Sequence, residues 1–202
     1  MVMKKDSGFT LIEMMVVLAI AGIVLGIGIP KLSAFFQGSR MTANTNALVA
    51  AFQVAKSEAV KRQGPVTVCR SSNQTSCALD GNNTWEDGFI VFYDVNANRK
   101  VDGADIILRI NEGAEGDDVT IRSDTASNSR DYITFTSRGH PKDGNALQSA
   151  TYVVCDDRGI KSVTVDGVPK TAARGVVLSV SGKVRSTRDG TKLTNCAPLG
   201  DL

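Results

Sequence analysis

The sequence predicts an α+β fold, in which a long N-terminal helix is followed by an antiparallel β-sheet domain. Residues 9–29 form a continuous apolar run, and residues 31–64 carry apolar positions at helical spacing. From residue 65 onward, short β-branched and aromatic runs alternate with turns rich in Gly, Asn and Asp, which is typical of antiparallel strands. Runs of helix and then of strands favour an α+β domain over a parallel α/β fold.

The apolar run is long enough to cross a bilayer as a helix. Residues 9–29 number 21, and about 20 suffice. Lys4 and Lys5 precede the run, which favours a cytoplasmic N-terminus. No A-x-A-like cleavage site follows it, so the segment is expected to stay with the protein. Glu13 is the anomaly, because a carboxylate at the bilayer centre costs about 2.5–3.5 kcal/mol.

The sequence GFTLIE at residues 8–13 resembles the class III signal of type IV pilins and type II secretion pseudopilins. The resemblance implies that prepilin peptidase cuts between Gly8 and Phe9 and that the new N-terminus is methylated. Residues 1–8 would then be a leader peptide. It also implies that Glu13 pairs with the N-terminal amine of a neighbouring subunit, and such pairing relieves much of the burial cost.

Gly26, Gly28 and Pro30 weaken the predicted transmembrane and assembly helix, residues 9–30, near its end. Two interpretations stay open for this helix break. One is a tolerated kink, and the other, implied by the family resemblance, is local melting of the helix when the subunit joins a filament.

Residues 31–64 are predicted to form an amphipathic helical stem. Gly64-Pro65 ends it, since proline cannot continue a helix and restricts the residue before it. A half-apolar stem must pack on another surface, which the sheet supplies. The predicted apolar stripe consists of Leu32, Phe36, Ser39, Ala43, Ala47, Ala50 and Val54.

Eight strands are predicted after the stem, at residues 66–69, 88–93, 105–109, 118–122, 132–136, 151–155, 162–165 and 175–180. The order SEAVKRQGPVTVC followed by WEDGFIVFYDVNANRK resembles the FimT/FimU minor pilins and the GspH minor pseudopilins. The resemblance implies a type IV pilin-like fold, with a GspH/FimT-like β-rich globular domain over residues 65–202.

Four cysteines, Cys69, Cys77, Cys155 and Cys196, suggest two disulfides in an exported protein, and three pairings are open. We favour Cys69 with Cys77 and Cys155 with Cys196, because each closes locally. The cysteines also favour a pilus protein over a pseudopilin. Without a CxxC or Cys/His cluster, a zinc site is not expected.

Charge is unevenly distributed along the chain. Residues 80–131 hold twelve acids and five bases, whereas residues 170–192 hold six bases and one acid. GKVRSTR at residues 182–188 resembles, with lysine for the first arginine, the Gly-Arg-x-Arg tail motif of DNA-receptor FimT proteins. The alternative is a solvated basic strand end. Candidate DNA-binding residues are Arg174, Lys183, Arg185, Arg188 and Lys192.

Residues 94–105 approach a calcium-binding loop, because oxygen side chains occupy alternate positions. The candidate ligands are Asp94, Asn96, Asn98, Asp102 and Asp105. Arg99 stands where such loops require glycine, and Asp105 replaces a longer, bidentate glutamate. We therefore favour a hydrogen-bonded Asx-rich turn and expect neither a metal nor another cofactor.

Enzyme motifs are missing from the sequence. The single histidine, His140, stands beside a proline, no G-x-S-x-G occurs, and GKVRS does not fit a P-loop. We therefore expect a protein without catalytic residues.

The resulting hypothesis is a minor pilin of the FimT/FimU kind that supports type IV pilus assembly and initiation. It would cross the inner membrane once with a periplasmic head and then occupy the pilus tip. Expected partners are other major and minor pilins, prepilin peptidase, the inner membrane and, through the basic region, double-stranded DNA. The alternative is a GspH-type minor pseudopilin of a type II secretion system.

Overall fold

The computed structural model of the protein describes residues 10–80, 84–116, 118–123, 131–144, 146–159, 162–165, 168–189, 193 and 196. Within these residues the chain forms helix α1 (Leu11–Arg62), a 3₁₀ turn at Trp85–Asp87 and eleven strands. The strands are β1 (Val66–Arg70), β2 (Phe89–Tyr93), β3 (Ile106–Asn111), β4 (Thr120–Ser123), β5 (Tyr132–Phe135), β6 (Pro141–Asp143), β7 (Ala146–Leu147), β8 (Ala150–Cys155), β9 (Ser162–Val165), β10 (Val168–Leu178) and β11 (Val184–Asp189).

The chain divides into two compact units, Met1–Ser39 and Arg40–Leu202. We call the second unit the head. The division falls inside α1, so the first part of the helix belongs to the first unit and the remainder packs within the head.

The helix of the first unit exposes its apolar side chains. Each large apolar side chain described there, from Leu11 to Phe36, is more than half exposed. Among the described residues, no helix combines the length and the apolarity that crossing a membrane requires.

The backbone of α1 stays helical at Gly26, Gly28 and Pro30, so the helix break predicted there is not seen in the described helix. A proline within a helix removes one N–H donor, while the rest of the hydrogen-bond ladder is available to hold the helix together.

The head contains two antiparallel sheets. The first sheet has the order β3-β2-β1-β5-β6-β7, and the second has the order β11-β10-β8-β4, with β9 pairing to β10. Each pairing in both sheets is antiparallel. The predicted α+β class is therefore confirmed.

The main core lies where α1 meets both sheets. The Phe52 ring lies 6.3 Å from Phe135 of the first sheet and 5.0 Å from Tyr152 of the second, measured between ring centroids. Trp85 packs edge-on against Tyr152 at 4.9 Å and is fully buried. One helical aromatic residue thus contacts both sheets and joins them into one core.

The apolar stripe predicted for the stem is only partly correct, because Ala47 and Val54 pack against the main core while its N-terminal members do not. Leu32 and Phe36 are more than half exposed and Ala43 is exposed, whereas the helix buries a neighbouring stripe. The buried apolar positions of α1 are Met41, Leu48, Ala51, Phe52, Ala55 and Ala59. Burial of the large Met, Leu and Phe side chains removes more apolar area from water than burial of alanines, so these residues set the helix rotation.

The eight predicted strands are present, with ends shifted by a few residues and β10 starting seven residues early. Three further strands, β6, β7 and β11, were not predicted as separate strands. β6 and β7 contain only three and two residues, which is too short for a period-2 pattern. β11 is rich in charged and hydroxyl residues because it lies at a sheet edge.

Candidate functional site

The start of α1 positions Glu13. The helix begins at Leu11, and the backbone N–H of Glu13 donates to Thr10 Oγ1 at 3.3 Å. Thr10 therefore acts as the N-cap, and Glu13 occupies the third helical position, where a capping box has Glu or Gln. The Glu13 side chain is exposed in the first turn. Gly8 and Phe9, the predicted cleavage and methylation residues, lie outside the described residues.

The second candidate region is the turn between β10 and β11. Lys56 Nζ donates to the carbonyl of Gly182 at 2.9 Å, and His140 Nδ1 lies 3.2 Å from the carbonyl oxygen of Val180. Gly182 has a φ of +74°, and a Cβ there would collide with the carbonyl oxygen of Gly139. The glycine of the basic motif therefore serves close packing, and Lys183 follows it directly on the surface.

The structure divides the predicted DNA-binding residues between two faces. Arg185 follows Val184, which packs on the main core, so alternation directs Arg185 to the opposite face of the sheet. Lys183 and Arg185 are exposed. Lys192 lies outside the described residues.

Arg174 and Arg188 lie on the core-facing side of the second sheet. Arg174 is opposite Val154 of β8, which belongs to the main core. Ser186 is opposite Val176, also in the main core, and Arg188 follows two residues later on the same face. The four described basic candidates therefore do not form one surface.

A cleft of about 260 Å³ opens beside these two arginines, lined by Arg174, Ser186, Thr187 and Arg188. Arg174 is half-buried and Arg188 is exposed. Burial lowers the pKa of the Arg174 guanidinium below its usual range, and the positive charges of Arg188 and Arg158 lower it further. The two hydroxyl residues were not predicted, since only the strand register brings them to this cleft.

The turn between β2 and β3 uses its carboxylates as hydrogen-bond acceptors. Asp94, which is fully buried, accepts from the backbone N–H groups of Asn98 and Arg99, each at 3.0 Å. Asp105 accepts from the backbone N–H groups of Val95 at 2.9 Å and Asp102 at 3.0 Å.

The amide groups of the same turn also point at a carboxylate. Asn96 and Asn98 donate to Asp102 Oδ2 at 3.0 and 2.7 Å, and these bonds hold the pKa of Asp102 below its usual range. Among the described residues, no three His, Cys, Asp or Glu side chains are arranged to hold a metal ion. The contacts correspond to an Asx-rich turn.

Both disulfides are formed, with Cys69 bonded to Cys77 and Cys155 bonded to Cys196, the pairing that the sequence favoured. Each disulfide belongs to a small apolar cluster on the outer face of one sheet. The first cluster contains Cys69, Ile90, Phe92 and Tyr132, and the second contains Val153, Cys155, Ala173 and Leu193.

Comparison with known proteins gives two family matches. The family described as type II transport protein GspH matches residues 44–182, and the prokaryotic N-terminal methylation motif matches residues 3–29. No curated protein matches the chain.

Solved structures of the type IV minor pilin FimU from Pseudomonas aeruginosa strain PAO1 share the fold. The form in space group P21 is 19% identical, with a TM-score of 0.54, and the match covers 78% of this chain and 95% of that chain. The form in space group P65 is 19% identical, with a TM-score of 0.50, covering 75% and 94%. With a GspH match over more than half of its length and an N-terminal methylation motif, this chain belongs to the GspH family and shares the fold of FimU.

Proposed function

We propose that this protein is a minor pilin of a type IV pilus that supports pilus assembly. The part of α1 in the first unit, Met1–Ser39, would insert it into the filament. The observation that carries the proposal is that the helix of that unit combines exposed apolar side chains with a carboxylate. Large apolar side chains from Leu11 to Phe36 are exposed on the isolated chain, and a single carboxylate, Glu13, lies at the start of the same helix. A GspH-family head on such a helix supports a filament subunit.

The exposed apolar helix requires a partner environment. Apolar surface of this extent is unfavourable in water, and either lipid or the helices of other pilins would cover it. Before assembly the inner membrane would provide this cover, with the head in the periplasm. Afterwards neighbouring major and minor pilins would do so, with this subunit at or near the pilus tip.

Glu13 would then act by charge pairing. Cleavage by prepilin peptidase between Gly8 and Phe9 creates a positively charged amine four residues before Glu13. In a packed bundle, the Glu13 carboxylate of one subunit would pair with the amine of the next, because an unpaired buried charge is costly. The pair would fix the axial stagger between subunits. Gly26, Gly28 and Pro30 would allow local melting of the helix in the filament.

Deleting the gene in the native host tests the pilus assignment. We expect fewer surface pili and reduced twitching, with normal export of enzymes, and an epitope-tagged copy recovered in the sheared pilus fraction. Normal pili together with blocked enzyme export would instead establish the GspH-type pseudopilin of a type II secretion system. The description of the matching family favours that second candidate.

DNA capture is a further candidate function, supported by the exposed Lys183 and Arg185 at the edge strand β11. Any binding would be electrostatic and independent of DNA sequence, because contacts to phosphates do not distinguish between bases. The double variant Lys183→Gln/Arg185→Gln should weaken binding of full-length protein in detergent to duplex DNA. The slope of log K against log salt should fall by about 2.

The matched control for DNA capture is Lys61→Gln/Lys100→Gln, which removes the same charge from exposed positions elsewhere on the head. It should leave both the affinity and the salt slope near those of the wild type. Equal losses in the two double variants would mean that net charge alone governs binding, and DNA capture through β11 would be rejected.

A further inference from the structure

The pairing of β10 with β11 is interrupted at one place. Lys170 pairs with Asp189 and Gly175 with Thr187, so four residues of β10 oppose the single residue Arg188 of β11. Insertions of this kind bend the longer strand and redirect its side chains, and they are enriched beside functional sites. The interruption coincides with the cleft described above.

Hydrogen-bond donors dominate the walls of this cleft. Its four lining residues are Arg174, Ser186, Thr187 and Arg188. Each guanidinium offers five N–H donors in a planar fork, and each hydroxyl offers one donor. A guanidinium fork fits the oxygens of a phosphate, and serine and threonine hydroxyls are common phosphate ligands.

The charges around the cleft favour an anion. The positive charges of Arg188 and of the neighbouring Arg158 act on Arg174, and the carboxylate of Asp156 opposes them with a smaller effect. Arg158 is itself held by Asp156, with its Nε 2.9 Å from Asp156 Oδ2. Within the described part of the chain, no carboxylate forms a salt bridge with Arg188. An anion between Arg174 and Arg188 would offset their repulsion.

We propose that this cleft binds a phosphate group, with Arg174 and Arg188 as charged donors and Ser186 as a hydroxyl donor. The volume of about 260 Å³ leaves room for a substituent on the phosphate. The ligand is therefore a phosphate ester, either a small molecule or a phosphodiester of a nucleic acid backbone. The site lies on the face opposite Arg185, so it is independent of DNA capture through Lys183 and Arg185.

The test is thermal unfolding of the full-length protein in non-ionic detergent, with sodium phosphate compared with sodium chloride at equal ionic strength. A ligand bound only by the folded state raises Tm, and the stabilisation grows with the logarithm of 1 + [L]/Kd. We expect phosphate to raise Tm, and Arg188→Gln to weaken phosphate binding roughly tenfold, as the loss of a charge-assisted hydrogen bond implies. Arg188 is exposed, so its variant should melt like the wild type in chloride.

Two controls accompany this test. Lys183→Gln/Arg185→Gln should keep the phosphate-dependent rise, and Arg174→Gln should lose it. Equal rises of Tm in phosphate and chloride, or an unchanged rise in Arg188→Gln, would overturn the proposal.

A short oligonucleotide then identifies the source of the phosphate group. If the oligonucleotide competes with phosphate for the wild type but not for Arg188→Gln, the ligand is a nucleic acid phosphodiester. If phosphate binds and the oligonucleotide does not compete, the ligand is a small phosphate ester.

Discussion

At the scale of single residues, Gly182 shows why a short motif has to be read in three dimensions. It stands beside the basic residues of β11, but its carbonyl accepts from Lys56 and its Cα faces the backbone of Gly139. The turn that presents Lys183 is thus anchored on α1 and on the turn between β5 and β6. A glycine is needed because the position combines a positive φ with contact against another backbone.

Replacement of Gly182 by alanine should destabilise the head. The left-handed φ costs about 1 kcal/mol or more for a residue with a Cβ, and the collision with Gly139 adds to it. We expect a total loss of about 2–4 kcal/mol in the free energy of unfolding, measured by urea denaturation.

Gly144 offers a matched control for Gly182. Its φ is +56°, and a Cβ at this position would meet nothing within 4 Å. Gly144→Ala should therefore show the conformational cost alone, about 1 kcal/mol. If the two variants lose equal stability, the packing of Gly182 against Gly139 contributes nothing.

At the scale of secondary-structure elements, each disulfide joins a strand cysteine in a small outer-face cluster to a second cysteine farther along the chain. Cys69–Cys77 closes a loop with a sequence separation of 8, and Cys155–Cys196 holds the C-terminal segment with a separation of 41. Leu193 is almost fully buried in the cluster with Cys155. The disulfides and the buried Leu193 thus add apolar cover to the outer faces of the sheets.

Removing Cys155–Cys196 should cost more stability than removing Cys69–Cys77. In the chain-entropy description, the longer loop contributes about 4 kcal/mol and the shorter about 2.5 kcal/mol. Paired Cys→Ser variants, compared by urea denaturation, measure both. An equal or reversed order would show that packing of the covered clusters, and not loop length, sets the contribution of each disulfide.

The sequence predicts elements better than it predicts their arrangement. Strands with β-branched runs, such as residues 66–69 and 88–93, are readable because their composition is local. The rotation of α1 about its axis cannot be predicted in this way. Alanines occur at helical spacing on more than one face, so they do not show which face buries Phe52. The phosphate cleft is also hidden, because it depends on how β10 and β11 align across a bulge. Glu13 is different, since its whole motif lies within six residues.

At the scale of the whole molecule, the two units present different surfaces. The first unit exposes each of its described large apolar side chains, whereas the head buries many of its apolar residues in one main core and two small clusters. Exposed apolar side chains favour contact with other apolar surfaces. We therefore propose that the first unit serves assembly and that the head makes the ligand contacts.

The central claim is that Glu13 acts through its charge, and Thr10 allows this to be separated from helix capping. Glu13→Gln keeps a residue that serves a capping box but removes the charge, whereas Thr10→Ala removes the cap and keeps the charge. Each variant is to be quantified in sheared pili relative to the membrane fraction, with mass spectrometry confirming the cut after Gly8.

We expect Glu13→Gln to be processed normally but to fall at least about tenfold in pili, as loss of a buried charge pair implies, while Thr10→Ala stays near the wild-type level. Wild-type incorporation of Glu13→Gln would show that assembly does not need its charge. Equal losses in both variants would indicate a role in starting the helix and not in charge pairing.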